Sequence, residues 1–464
     1  MGSLSASLNI AAQSLDAEQT AIQTTTNNIA NVNTPGYSRE VANFEDNPPV
    51  EIGNLTLGSG VDISQVTSLR DAVLDLRVNQ ETQQQGALNS LVSSGQQIQS
   101  LFNETSGAGL QAPLTAFFNS LSALSANPSD PSTRQAVLTA AQNLASAFNQ
   151  TSNNLTQIQQ GEDLSVTQSV SQINTLTSQL AAVNVQVVAA TGAGQNSGPL
   201  VDQQQQLLNQ LSNLIDVSSI NAGNGSLTLT TSSGAPLVVG GQSFQLTTQA
   251  NPTTGFQDVY SQGTDITTAI TGGELAGEIQ TRDQQIPSIL SSLDSLASTL
   301  ATAVNTQNAQ GFDLNGNAGG NIFVPPPAGG VGAAASLAVA ITDPSLIAAS
   351  GGPAPGSAGD NTNANALLAI QNQTIDNGQT PLNAYSNLVF QIGNQVSTAQ
   401  SNQNSGSLVL QQLQNLQAGV SGVDINEESA NLIRFQSAYT ASAQISGIID
   451  TLLQTTIDMV PVTA

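Results

Sequence analysis

Hydrophobic positions recur at helical spacing along most of the chain, and the pattern is clearest at its two ends. Residues 1–33 read as one amphipathic helix with a 4-3 spacing of Leu4, Leu8, Ala11, Leu15, Glu18, Ile22, Thr25, Ile29 and Val32. Seven of these nine positions are apolar, the signature of a coiled-coil seam. The alternative is an ordinary amphipathic helix packed on its own domain. A length of ~45 Å, at ~1.5 Å per residue, weighs against it. Pro35 biases Thr34 away from helix and Gly36 relieves the turn, so the helix stops there.

Residues 424–459 read as a second such helix. Asp424 suits the N-cap, Glu427 stands three residues on as in a capping box, and Glu428 adds favourable charge at the positive helix end. Its apolar face is wide: Leu432, Ile433, Phe435, Tyr439, Ile445, Ile448, Ile449, Leu452, Leu453 and Ile457. Ala438, Ala441 and Ala443 permit close approach of another helix. At ~1.5–3 kcal/mol per buried large side chain, the face is worth at most about 15–30 kcal/mol before ordering costs. An internal core helix is the alternative here. Neither terminal helix has a partner beside it in sequence, so the simplest arrangement pairs the two.

Between the ends, residues 40–67 alternate in short pieces broken by Pro48-Pro49, as in an extended arm with a small hairpin. Helix is predicted over 68–105, 113–125 and 132–190, with 107–113 as a linker, Gly161 as a candidate break, and a further helix over 200–215. The period changes near 217. Leu227–Thr230, Leu237–Val239, Phe244–Leu246 and Val259-Tyr260 read as strands of a small β module over 217–272. Helix resumes after Gly277 through Val304. Residues 311–360 are rich in Gly, Pro and Ala, with candidate strands at Ile322–Val324 and Leu337–Ile341, and 362–418 are helical again.

The expected fold class is therefore mainly α with inserted β. Residues 1–39 and 420–464 form a terminal α-helical coiled coil. Residues 40–216, 273–310 and 361–419 form a helical bundle built from discontinuous segments and carrying the arm. Residues 217–272, with 311–360 as a second candidate piece, form a small β-rich outer domain.

Composition narrows the chemistry. The 464 residues include no His, no Cys and no Lys, and 6 Arg face 31 acidic residues for a net charge of −25. The commonest general base, thiolate and imidazole metal sites, Schiff-base chemistry and the P-loop lysine are all removed. So strongly acidic a surface repels nucleic acid and anionic membranes. There is no basic n-region with a long apolar core at the N-terminus and no apolar run of ~20 residues; on those grounds alone the default compartment is the cytoplasm. Asp313-Leu314-Asn315-Gly316-Asn317 opens like a calcium loop, but Val324 stands where the bidentate Glu belongs, and a turn is the better reading. Gly330-Val331-Gly332 follows three prolines with no βα unit around it, which argues against a dinucleotide site. Paired carboxylates such as Glu45/Asp46 are sequence neighbours rather than a catalytic pair. No catalytic residue, cofactor or metal ligand is expected.

Asn27-Asn28-Ile29-Ala30-Asn31-Val32-Asn33-Thr34-Pro35-Gly36-Tyr37 resembles the N-terminal Asn-Ala-Asn…Thr-Pro-Gly-Tyr signature of the rod–hook–filament family of bacterial flagellar axial proteins. Ser38-Arg39 after it is similar to the branch that joins hook to filament, as is Gly422–Tyr439 at the other end. The stretches Gly272–Leu275, Arg282-Asp283, Val304-Asn305 and Gly311–Leu314 are similar too. The resemblance covers about a third of the chain, with Asn31, Thr34, Pro35, Gly36 and Tyr37 as its motif residues. It implies a non-enzymatic, extracellular subunit, exported without a cleaved signal peptide, that polymerises through its terminal helices between hook and filament. Its implied partners are copies of itself, hook protein, a filament-side junction protein and an export chaperone on the C-terminal helix, with no nucleic acid and no membrane. The expected subunit-contact residues are Leu8, Leu15, Ile22, Ile29, Leu432, Phe435, Tyr439, Ile449 and Leu453. The alternatives are a hook, rod or flagellin subunit and, in another class, a secreted adhesin or hydrolase with its site in the β module.

Overall fold

The computed structural model describes residues 2–52, 55–104, 109–353 and 359–459. Part of the 107–113 linker and residues 460–464 of the expected coiled coil lie outside them. Helix α1 (Gly2–Ala30) is followed by a β ribbon: β1 (Glu40–Asp46) pairs antiparallel with β4 (Val61–Ser68), and β2 (Val50–Ile52) with β3 (Leu55–Leu57). A bulge at Asn43/Phe44 shifts the register of the β1–β4 pair. Asp71 then caps α2 (Ala72–Ser100), its carboxylate accepting from the amides of Val73 and Leu74 at 2.9 and 3.2 Å.

Helix α3 (Gln111–Ala126) turns at Asn127–Asp130 into α4 (Pro131–Gly192). Proline at the first position and the Asp130 carboxylate on the Ser132 amide, 3.1 Å away, start α4. Gly161 does not break it: α4 runs unbroken for 62 residues, about 90 Å at ~1.5 Å per residue. A Cβ at Gly161 would meet nothing within 4 Å, so the glycine lies on the open face. Its cost of roughly 0.5–1 kcal/mol is small for a helix packed on both halves.

The N-terminal half of α4 (Val137, Leu144, Phe148, Leu155) builds one apolar core with α3, α7 (Ile286–Asn308), α9 (Thr362–Ala369) and the start of α10 (Pro381–Ser421). Phe117 sits at its centre, 5.5 Å from Phe118 and 5.8 Å from Phe323 between ring centroids. The expected strands around 322 and 339 are absent as strands. Phe323 and Val339 share only an isolated bridge, and the short α8 (Ala333–Ser336) lies between them. Ile322, Phe323, Leu337, Ile347 and Ala349 enter the helical core, so 311–350 packs with the helices and not with the β sheets. Hydrogen bonds to α7 dictate its irregular path: Asn305 exchanges bonds with the Phe323 backbone at 2.8 and 2.9 Å, and Asn308 donates to the Gly320 carbonyl at 2.7 Å. The Asp313 carboxylate accepts from the amides of Asn315 and Asn317 at 2.8 Å each, a turn. Gly332 and Ala334 amides are taken by Asp294 of α7 at 2.8 and 2.9 Å.

A second core surrounds the C-terminal half of α4, with α5 (Gly198–Leu214) and α6 (Gly273–Gln280). Two antiparallel sheets complete it. One has the order β5 (Val217–Ala222), β6 (Ser226–Thr231), β7 (Pro236–Val239), β8 (Gln242–Ser243). The other has the order β11 (Thr264–Asp265), β10 (Gln257–Ser261), β9 (Leu246–Ala250). The strand expected at Phe244–Leu246 starts only at Leu246, because the chain crosses there from one sheet to the other. Two asparagines of α4 pin the sheets: Asn184 donates to the Leu227 and Gly240 carbonyls at 2.8 and 2.7 Å, and Asn174 exchanges bonds with the Leu246 backbone at 2.8 Å. Helix resumes at Gly273, earlier than expected, and passes through a π-turn at Thr281–Gln285 before α7. The helix expected over 362–418 is two, α9 and α10, separated by a turn in which Asn377 takes φ +46°.

Helix α10 returns antiparallel along α2. Amides stitch them: Gln403 donates to Asn89 at 2.7 Å, and Gln417 donates to Asp75 of α2. After Gly422 comes α11 (Ile425–Asp458), packed along α1. Among the described residues no helix is long and apolar enough to cross a membrane.

Candidate assembly site at the joined termini

Helices α1 and α11 lie together, as when the Ser14 and Ser442 hydroxyls meet at 2.9 Å. The buried positions of α1 are small or polar: Ala11, Ala17, Ala21, Thr24, Thr25 and Asn28. Leu8, Leu15, Ile22 and Ile29, the expected seam, are each half-buried. The reason is that α1 is squeezed between α11 and the β1–β4 ribbon. Small residues fill the two close contacts, and the aliphatics sit at the borders. On α11, Ile449 is buried at 8% exposure, Leu432, Phe435 and Leu453 are half-buried, and Tyr439 is exposed. Phe435 also stacks on Phe44 of β1 at 6.0 Å and lies under the Arg434 guanidinium at 4.8 Å, so one ring ties α11 to the ribbon. Glu18 of α1 is half-buried beside Arg434. Burial raises its carboxyl above the usual range, and Arg434 offsets part of the rise.

A polar clasp closes the pair at the end of α1. Asn28, 1% exposed, donates to the Glu40 carbonyl at 2.8 Å and to the Glu428 carboxylate at 3.1 Å. Its carbonyl oxygen accepts from the Glu40 amide at 2.9 Å and from the Tyr37 hydroxyl at 2.8 Å. Arg39 donates to Glu428 at 2.7 Å and to Glu427 at 2.6 Å, and its amide donates to the Ser421 carbonyl at 2.8 Å. The expected capping box is therefore open. Asp424 caps the helix, accepting from the Asn426 amide at 2.8 Å, but Glu427 turns to Arg39. Burial pulls against the Arg39 charge, and the two carboxylates outweigh it, holding the guanidinium above its ordinary value. Burial, together with Glu40, Asp202 and Glu428, raises the Tyr37 phenol well above its ordinary value.

The motif residues make the turn that carries the chain from α1 into this clasp. Asn31 donates to Asn27 and accepts from the Thr34 hydroxyl at 3.1 Å. The Pro35 carbonyl accepts from Gln206 of α5 at 2.9 Å. Gly36 takes φ +79°, where a Cβ would stand 2.6 Å from the Gln206 amide nitrogen. The Ser38 amide donates to Asp202 of α5 at 3.0 Å, and Arg70 holds the other oxygen of the same carboxylate. Glu40 and Asp202 were not singled out by the sequence pattern, and Asn28 and Glu428 were read only as part of the motif stretch and as a helix-end charge. The only available signal was scarcity: with 6 Arg in 464 residues, Arg39 and Arg70 mark where buried carboxylates are.

Outside the contact with α1, the rest of the apolar face of α11 is open. Ile433, Ile445, Ile448, Leu452 and Ile457 are 65, 52, 61, 49 and 58% exposed. Ile445, Ile448 and Leu452, three and four residues apart, share one helix face, and exposed apolar surface of this kind marks an interaction face. Among the described residues no cluster of three or more acidic side chains is arranged to hold a metal ion.

Residues 95–323 match a family model described as "Flagellar hook-associated protein FlgK helical domain", and residues 8–37 match one described as "Flagella basal body rod protein". The chain is 27% identical to flagellar hook-associated protein 1 of Escherichia coli, over 97% of this chain and 100% of that protein. It is 29% identical to the protein of that name from Bacillus subtilis, over 97% of each. The solved structure of a flagellar hook junction protein from Burkholderia pseudomallei has the same fold, with a TM-score of 0.67 at 20% identity, covering 74% of this chain and 100% of that one. These matches, spread over both the terminal pair and the helical body, make the chain similar along nearly its whole length to flagellar hook-associated proteins.

Proposed function

We infer that the chain is a structural subunit of the bacterial flagellum that builds the junction between hook and filament, and that its work is mechanical. The observation that carries this is the open apolar stripe of α11, presented on a helix already paired with α1. Each half-exposed Ile or Leu has on the order of 1 kcal/mol still to gain from burial, and only another polypeptide can supply it along so long a line. In this reading the paired termini of neighbouring copies pack side by side, and Leu8, Leu15, Ile22, Ile29, Leu432, Phe435, Tyr439, Ile449 and Leu453 line the seam within and between subunits. One end of the helical assembly meets hook protein and the other a filament-side junction protein. Before assembly the same stripe on α11 is the natural seat of an export chaperone, and the subunit reaches the cell exterior through the flagellar export apparatus without a cleaved signal peptide.

Ile448→Asp with Leu452→Asp tests the reading, since both side chains are open in the single chain. The variant keeps the melting temperature of the native monomer but restores no motility to cells lacking the protein, which carry hooks without filaments. Filaments of normal number in those cells would overturn the assignment.

A further inference from the structure

The two apolar cores do not merge. On α4 the first ends at Leu155, with Ile158 packed on its edge, and the second begins at Val166. On the opposite strand of the packing, Ile279 belongs to the second core and Ile286 to the first. What lies between is a buried polar layer: Ser94 of α2, Gln159, Glu162 and Asp163 of α4, Glu278 of α6, and Thr281 and Arg282 of the π-turn. Glu162 and Glu278 are each 8% exposed, and Arg282 and Thr281 are fully buried. Ser94 donates to Glu162 at 2.6 Å and Ser169 to one oxygen of Glu278 at 3.0 Å. Arg282 donates to Asp163 and to the Gln257 carbonyl of β10 at 2.7 Å each, and Gln159 donates to the Arg282 carbonyl at 2.7 Å. The second Glu278 oxygen and the Thr281 hydroxyl have no hydrogen-bond partner among the described residues.

A carboxylate with one bare buried oxygen is an expensive group when charged and a cheap one when protonated. It lies at the level where the two apolar cores end, within a layer of polar side chains and beside the π-turn that joins α6 to α7. We propose that this layer is an acid–base-controlled joint, at which protonation of Glu278 locks the β-bearing half to the helical body and its ionisation loosens them.

The charged groups that act on Glu278 are Glu162 from α4, Glu274 from its own helix and Arg282 from the π-turn; α2 presents Ser94, on Glu162. Burial, reinforced by Glu162 and Glu274, pushes Glu278 up to about 7 against the pull of Ser169 and Arg282. Burial raises Glu162 as well. A carboxyl raised in the folded state contributes stability that is fully present below its unfolded value of ~4.3 and is lost as pH rises through the folded value. The joint therefore loosens between about pH 5 and pH 7.

Hydrogen exchange of the full chain at pH 5.5 and pH 8.0, corrected for intrinsic rates, reads this directly. Amides of 275–286 and of β10 open on the order of tenfold more readily at pH 8.0, while those of 137–148 do not change. Glu278→Gln removes the difference. The same pH dependence in that variant, or none in the native chain, overturns the proposal. Carboxyl carbon NMR of the native chain gives a second reading without a variant: Glu278 titrating near 7 supports the joint, and an ordinary value near 4.3 overturns it.

Discussion

Asn28→Ala is the sharpest test of how the termini are held. The side chain makes four hydrogen bonds, two donated and two accepted, and one of its partners is the Glu428 carboxylate. Neutral bonds are worth ~0.5–1.5 kcal/mol net and a bond to a charged group ~1.5–3. Truncation also strands the buried Glu40 amide and leaves Glu428 with Arg39 as its remaining partner. These costs overlap, so the expected loss is about 3–5 kcal/mol, or about two to four orders of magnitude in the local opening equilibrium. Neither apolar core includes a residue of α1 or α11, so global melting moves little. The measurement is hydrogen exchange of residues 18–30 and 425–435 in the monomer, with far-UV circular dichroism to verify the fold. A native-like spectrum with exchange accelerated less than threefold would refute the idea that Asn28 holds the clasp.

Two further outcomes follow from the same geometry. The chain has no cysteine, so Ser14→Cys with Ser442→Cys, built where the hydroxyls lie 2.9 Å apart, closes a single intramolecular disulfide on mild oxidation, seen as a faster band on non-reducing gels; persistent free thiols would show that the ends are apart. The Tyr37 phenol is raised above its ordinary value by burial and by Glu40, Asp202 and Glu428, so its stabilisation is intact below the unfolded value of ~10 and is lost as pH rises beyond it. Tyrosinate absorbance then shows Tyr37 and Tyr385, both raised chiefly by burial, staying protonated until alkaline unfolding, and Tyr37→Phe leaves the absorbance change below that transition unaltered.

Helix positions were legible because they are written locally. Asp424 is legible as a cap and is one; Asp71 and Asp130 cap their helices in the same way, with α2 starting at Ala72 and not at 68, and the apolar period of α4 is regular enough to survive Gly161. The irregular 311–350 segment was not legible. Ile322, Phe323 and Ile347 have no period of their own and acquire meaning only from Asn305 and Asn308, which hold their backbone against α7. Burial along the seam of α1 was legible only in part. A heptad rule assumes one partner, and α1 has two, so Ala11 and Thr25 of the expected seam, and Ala17 and Ala21 outside it, are buried while Leu15 and Ile22 are half-buried. The clasp escaped periodicity altogether. It joins Asn28 to Glu428 and Arg39 to Glu427, pairs roughly as distant in sequence as the chain allows, |i−j| of 400 and 388.

That separation also dictates an order of events. Contacts between residues so far apart carry the largest loop-closure cost in the molecule, and they become affordable only when the intervening chain is already compact. The two cores, closed by shorter-range contacts, form first and bring Ser38 to Asp202 and the end of α10 to the base of α2. Whichever of the two helices docks first then waits with its apolar face open until the other arrives. The α1–α11 pair is thus the last part of the chain to form, and under the proposed assembly it is the step at which folding and joining a neighbouring copy compete for the same surface.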